Sequence, residues 1–160
     1  MNTGSRLVLL AVGDEAAPLR SAPPPPPPDA QELGGHVRAV DTFGPAFLLV
    51  QVDGGLGDMG SLRRQLAEHP ATRPYLFHVI LSDDVDLKDP ILTLWSWFTR
   101  FDPLADLHPA EREMRGNRLL LRPPILIDAR WKKGYPKPVE FDSAVERRVL
   151  ARWSEFGLPD

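Results

Sequence analysis

Apolar positions fall into short runs with two rhythms. Ala46-Phe-Leu-Leu-Val50 and Tyr75-Leu-Phe-His-Val-Ile-Leu81 are apolar without polar alternation, the pattern of strands covered on both faces. His36 to Phe43 precedes the first run across Gly44-Pro45, a dipeptide that breaks regular structure, and this predicts a hairpin with Ala46 to Val52. Between the two runs, Ser61 to Glu68 predicts a helix with Leu62 and Leu66 one turn apart and Pro70 closing it. Strand, helix, strand in this order implies a right-handed crossover joining two parallel strands.

Farther on, Asp89 reads as a helix cap with Pro90 at the first position. Ile91, Leu94, Trp95 and Phe98 then recur at i, i+3, i+4 and i+7, which predicts that this stripe faces the core. Leu92 and Trp97 lie off the stripe, so a second apolar side needs a sheet, a loop or another subunit to cover it. Leu104 to Arg118 is polar and reads as irregular, whereas Leu119 to Leu121 and Ile125 to Ile127 read as strand pieces. Pro123-Pro124 between them confines that stretch to an edge or a bulge. Ser143-Ala-Val-Glu146 reads as a capping box opening a last helix, with Val145, Val149, Trp153 and Phe156 on one face and Gly157 as its stop. At the front, Leu7 to Val12 reads as a buried strand and Asp14 to Gly35, holding Pro23 to Pro28, as an extended polyproline spacer. The expected organisation is therefore a strand plus proline-rich linker over 1–35 and one α/β domain over 36–160, a mixed sheet of about five or six strands with three helices.

Composition narrows the chemistry. The 160 residues include no cysteine, which closes disulfides, thiolate metal sites and cysteine nucleophiles. Net charge is −3, so there is no long-range pull on nucleic acid or an anionic membrane, and with no targeting or spanning segment read in the chain a cytoplasmic location is expected. The charge is uneven: residues 1–110 carry 8 basic and 14 acidic side chains, residues 111–160 carry 11 and 8.

Four groups of residues are candidates for function. Gly55-Leu-Gly57-Asp-Met-Gly60 matches a dinucleotide fingerprint between a strand and a helix, but Asp58 sits among the amides that would receive pyrophosphate and no Lys or Arg lies between Asp53 and Ser61. A glycine turn into a helix is the preferred reading, with nucleotide binding as an alternative. Ser82 to Asp89 gathers four carboxylates without calcium-loop spacing, and reads as a solvated turn that caps the next helix. The four histidines show no ligand spacing, so no metal is expected. Arg130-Trp-Lys-Lys-Gly-Tyr-Pro-Lys137 interleaves cations and aromatics, the composition of a basic rim that meets an acidic partner.

The run Tyr75 to Pro90, then Leu94-Trp95, then Thr99-Arg100-Phe-Asp102-Pro103-Leu-Ala-Asp106 resembles the C-terminal domain of the UbiD family of prenylated-flavin decarboxylases. Ile127-Asp128-Ala129, the basic stretch after it and a closing helix ending Trp153-Ser-Glu-Phe156 continue the resemblance over about residues 36 to 158. Departures are Pro123-Pro124-Ile125-Leu126, where relatives usually carry a lysine and small residues, and Arg130 in place of a threonine. The resemblance implies Asp83, Asp84, Asp86, Arg100, Asp102 and Asp128 as motif residues, with Arg100 engaged in internal ion pairing. It implies no catalytic, cofactor-binding or metal residue in this chain. Prenylated FMN, its metal and the catalytic groups are expected on an upstream domain, for which these residues leave no room.

The function expected is thus that of a non-catalytic accessory or assembly subunit of a UbiD-like decarboxylase or carboxylase. Trp153 and Phe156 are the expected interface anchors, with Trp97 and Trp131 as further aromatic contacts. The rival expectations are a self-associating homodimeric scaffold and a small nucleotide-binding protein using the Gly55, Gly57 and Gly60 turn.

Overall fold

The structure, a computed structural model, describes residues 26–135 and 142–157. The expected strand over Leu7 to Val12, the first prolines of the spacer and the Pro136-Lys137 end of the basic stretch lie outside the described residues.

A β-hairpin opens the sheet: β1 (Val37–Phe43) pairs antiparallel with β2 (Phe47–Val52). Helix α1 (Met59–Glu68) crosses over to β3 (Phe77–Ser82), which lies parallel to β2. Helix α2 (Pro90–Arg100) follows, then β4 (Leu107–Arg115) and β5 (Arg118–Ala129), with β5 parallel to β3 and antiparallel to β4. The five-stranded mixed sheet runs β1-β2-β3-β5-β4. Helix α3 (Ser143–Leu150) and a 3-10 turn, Trp153–Phe156, close the described chain.

Two buried clusters explain why the strand runs lack polar alternation. Leu48, Val50, Val52, Ile80 and Leu126 point to one face and meet Leu62 and Leu66 of α1 together with Leu33. Leu49, Val79, Leu81, Ile125 and Ile127 point to the other and meet Trp97 of α2. A period of two in a sheet clothed on both sides puts an apolar residue at every position.

The helix ends follow from local chemistry. Asp58 caps α1 by accepting from the Gly60 and Ser61 amides, and His69, extended before Pro70, ends it. Asp89 caps α2 by accepting from the Ile91 and Leu92 amides, with Pro90 at the first position. For α3 the cap is Asp142 rather than Ser143, its carboxylate accepting from the Ala144 amide. The closing helix also breaks after Leu150, and Gly157 (φ 64°) terminates the 3-10 turn.

Two expectations about the strands are corrected. Residues 107–115 form a regular edge strand, because β4 pairs with β5 through a turn at Gly116 (φ 62°) while its charged side chains face water. Polar composition hid a strand whose buried residues, Leu107 and Pro109, lie only at its start. The two strand pieces are one continuous β5, and Pro123-Pro124 sit at a bulge as expected: they lie in a register shift opposite Ala110, just ahead of Ile125, the first residue of β5 that pairs with β3.

The other correction concerns α2. Ile91, Trp95 and Phe98 are 80%, 51% and 68% exposed, whereas Thr93, Ser96, Trp97 and Arg100 are buried. Small Thr93 and Ser96 let the helix approach the sheet, and the Thr93 hydroxyl donates to the Asp86 carbonyl (3.3 Å). The Trp97 ring fills the gap edge-on to Phe47 at 5.3 Å. Replacing Trp97 with alanine should cost about 3–5 kcal/mol in urea unfolding, while Trp95→Ser should fall within about 1 kcal/mol of the parent. The opposite ranking would restore the inward stripe.

Candidate docking surfaces and the ion-pair clasp

Arg100, 3% exposed, is the last residue of α2 and the centre of a clasp at the carboxyl ends of β3 and β5. Its guanidinium donates both terminal nitrogens to Asp84, at 2.8 and 2.7 Å, and lies 4.6 Å from the centre of the Trp131 ring. Among the described residues the Arg100 Nε finds no partner, nor does the buried Ser96 hydroxyl one turn earlier. The Arg100 carbonyl accepts from Lys132 Nζ (2.9 Å) and the Tyr135 hydroxyl (3.2 Å). The chain leaving β5 is thereby strapped across the end of α2, and the Trp131 amide is held by the Ser82 hydroxyl at 2.7 Å.

Lys132 also meets Asp106 (3.0 Å) and the Asp128 carbonyl, and Arg130 forks onto Asp128 with its Nε and Nη2, each at 2.9 Å. Burial alone would raise the Asp128 carboxyl. The Arg130 fork, the Lys132 charge and the Arg130 amide outweigh it and hold the group below the usual carboxylate range. The expected basic rim is thus corrected: Arg130 and Lys132 are engaged by internal acids and backbone carbonyls, leaving Lys133 as the exposed cation of the described part of that stretch.

The acidic loop before α2 is held by the strands. Gln51 donates to the Val85 carbonyl (2.7 Å), Lys88 pairs with Asp41 (2.7 Å), and Asp86 receives the Lys88 amide (2.9 Å). Asp102 accepts from the Leu104 amide, and its own amide donates to Asp106. Of the motif residues, Asp84, Arg100 and Asp128 therefore belong to the clasp, Asp86 and Asp102 shape turns, and Asp83 stands exposed.

A cleft of about 430 Å³ opens where the parallel strands end, lined by Asp53, Ser82, Asp83, Asp84, Arg130 and Trp131. Asp83 apart, its charged groups are already engaged. Asp53 takes His36 Nδ1 (2.9 Å), Arg38 and the Gly55 amide, and the His36 contact is the leading cause that keeps its carboxyl below the ordinary value. The Gly60 and Ser61 amides point at Asp58, so a nucleotide or flavin phosphate would have to displace a carboxylate that already caps the helix. Among the described residues no three acidic or histidine side chains are placed to hold a metal. These residues do not fit a prenylated flavin or its metal. His78 is buried, its Nε2 paired with the Thr72 carbonyl (3.2 Å), and burial lowers its pKa, keeping the ring neutral at pH 7.

The four aromatics expected at an interface divide. Trp97 is core, 6% exposed, and reaches the surface only through Phe98 stacked on it at 5.2 Å. Trp131 is half-buried over Arg100. Trp153 is half-buried and Phe156 exposed, and α3 before them buries nothing among the described residues. The surface that sequence reasoning missed is the outward face of α2, whose composition was visible but assigned to the core.

No protein-family model matches the chain. It is 29% identical over 158 residues to an uncharacterised Chlamydia muridarum protein, covering 98% of this chain and 25% of that one. A Chlamydia pneumoniae protein, named as one of the subunits of 4-hydroxybenzoate decarboxylase, is 33% identical over 97 residues, 58% of this chain and 16% of that protein. The chain spans at most about a quarter of the length of these relatives. Among solved structures, the vanillic acid decarboxylase of Sedimentibacter hydroxybenzoicus superposes with TM-score 0.51 at 15% identity, over 79% of this chain and 32% of that one. The UbiD-class enzyme HmfF from Pelotomaculum thermopropionicum, solved in complex with prFMN, superposes with TM-score 0.50 at 15% identity, over 77% and 27%. The chain has a UbiD-like fold. Among the described residues of this UbiD-like domain, no helix is long and apolar enough to cross a membrane.

The clasp gives two measurable outcomes. Asp84→Ala leaves a buried guanidinium unpaired and should cost about 3 kcal/mol, whereas Arg100→Met leaves a half-exposed carboxylate that water can solvate and should cost less. Urea midpoints with unchanged slopes would check the order. Asp128, lowered in the folded state, contributes stability that is complete above its unfolded value of about 3.9 and is lost as pH falls through the folded value. The stability gap between parent and Asp128→Asn should therefore be constant above about pH 5 and close in acid. A gap that widens as pH falls would reverse the assignment.

Proposed function

We propose that this UbiD-like domain acts by contact, as a non-catalytic accessory domain that associates with the prenylated-flavin-bearing portion of a UbiD-type decarboxylase or carboxylase. That portion can belong to the same polypeptide or to another. One observation carries the reading: the charged residues at the carboxyl ends of the sheet, Asp83 apart, are held in internal ion pairs, while two apolar helix surfaces have no partner in the described chain. A site built to do chemistry keeps an acid, base or nucleophile available. Here the free capacity is for packing. The sequence relationship to a protein named as part of a decarboxylase and the shared fold supply the class of partner.

On this reading Trp153 and Phe156, edge to face at 6.5 Å at the end of α3, anchor the association, and Trp131 stiffens the strap that leads toward them. Because Phe156 is 48% exposed and α3 has no buried residue, removing both aromatics should leave the fold intact. The test is copurification with a UbiD-type flavin domain. The parent chain should retain it, and Trp153→Ala/Phe156→Ala should weaken retention at least tenfold with an unchanged unfolding transition. Equal retention by parent and variant, or none by either, defeats the assignment.

A further inference from the structure

The outward face of α2 carries no charge. Its single ionisable residue, Arg100, is turned inward and buried, and the face shows Ile91, Trp95 and Phe98 to water, with Leu104, 83% exposed, just beyond. Helix α1 differs: opposite Leu62 and Leu66 it exposes Arg63, Arg64 and Glu68. A helix face with a tryptophan, a phenylalanine and an isoleucine and no intervening lysine or glutamate is an interface rather than a solvated surface.

What borders this face decides what it fits. At the amino end stand Asp86 and Asp89, both exposed. The Asp86 and Asp89 carboxylates accept from backbone amides, and neither has a cation within salt-bridge reach among the described residues. Lys88 in their midst is paired with Asp41. At the other end Asp102 adds a carboxylate. The stripe is therefore apolar along its length and negative at its ends. Two copies of the stripe stacked on each other, parallel or antiparallel, would bring carboxylates against carboxylates.

We propose that the outward face of α2 is a docking site for an amphipathic helix of basic character on a partner protein. Its apolar side seats on Ile91, Trp95 and Phe98, and its lysines or arginines lie over Asp86 and Asp89. The inference rests on the assembly reading only in taking the partner to be a protein. It adds the partner's shape and charge, and holds whichever decarboxylase portion supplies the helix.

The test uses the full 160-residue chain and two 18-residue helical model peptides with the same leucine face, one with a lysine polar face and one with a glutamate polar face. In NMR titrations the lysine peptide should bind saturably, at least tenfold tighter than the glutamate peptide, with amide shifts confined to residues 85–104. Added salt should weaken it. Asp86→Asn/Asp89→Asn should reduce the preference to threefold or less, and Trp95→Ser/Phe98→Ser, with its unfolding transition retained, should abolish binding. Equal affinity for both peptides, shifts centred elsewhere, or a chain that dimerises through Trp95 without peptide overturns the proposal. Because no decarboxylase component is present, failure here is separable from failure of the copurification.

Discussion

The bidentate bond between Asp84 and Arg100 sets the rotation of α2, and most of what distinguishes this molecule follows from that rotation. At about 100° per residue, turning Arg100 inward carries Thr93, Ser96 and Trp97 inward with it and leaves Ile91, Trp95 and Phe98 outside. The helix forgoes burial of three large side chains, each worth roughly 1.5–3 kcal/mol if fully covered. Within the isolated fold that is lost stabilisation. It is recovered only when another surface covers the stripe.

The same pair fixes the path of the chain after β5. Trp131 lies over the guanidinium, Lys132 and Tyr135 bind the Arg100 carbonyl, and Arg130 and Lys132 together hold Asp128 ionised. The carboxyl end of a parallel sheet is where α/β proteins usually build ligand sites. In this domain that end is occupied by its own ion pairs, and the surfaces left over are apolar helices. A contact role is what such an allocation of charge and hydrophobic area supports.

Much of the fold was legible because local signals agreed with the tertiary outcome. The covered strands, the β1–β2 hairpin, the α1 crossover and the Asp89-Pro90 helix start each had one reading, and the sheet of five strands with three helices follows from them. The β4 strand was not legible, since an edge strand of charged residues has neither alternation nor an apolar run to mark it. The orientation of α2 was misread for a different reason. Apolar periodicity records where hydrophobic residues lie, not whether the core or a partner receives them, and the inward face was chosen by a buried arginine whose carboxylate lies sixteen residues away. Internal ion pairing of Arg100 was implied by the family resemblance; its partner Asp84, and the involvement of Trp131 and Lys132, required the fold that brings β5 beside β3.

The account stands on the claim that the helices, and not the carboxyl-end cleft, meet the partner. Hydrogen–deuterium exchange of the full chain with and without a UbiD-type flavin domain reads both regions in one experiment. Slowed exchange over residues 90–104 and 143–156, with residues 53–58 and 82–84 unchanged, is the predicted result. Protection centred on the cleft, with both helices exchanging as in the free chain, would contradict it.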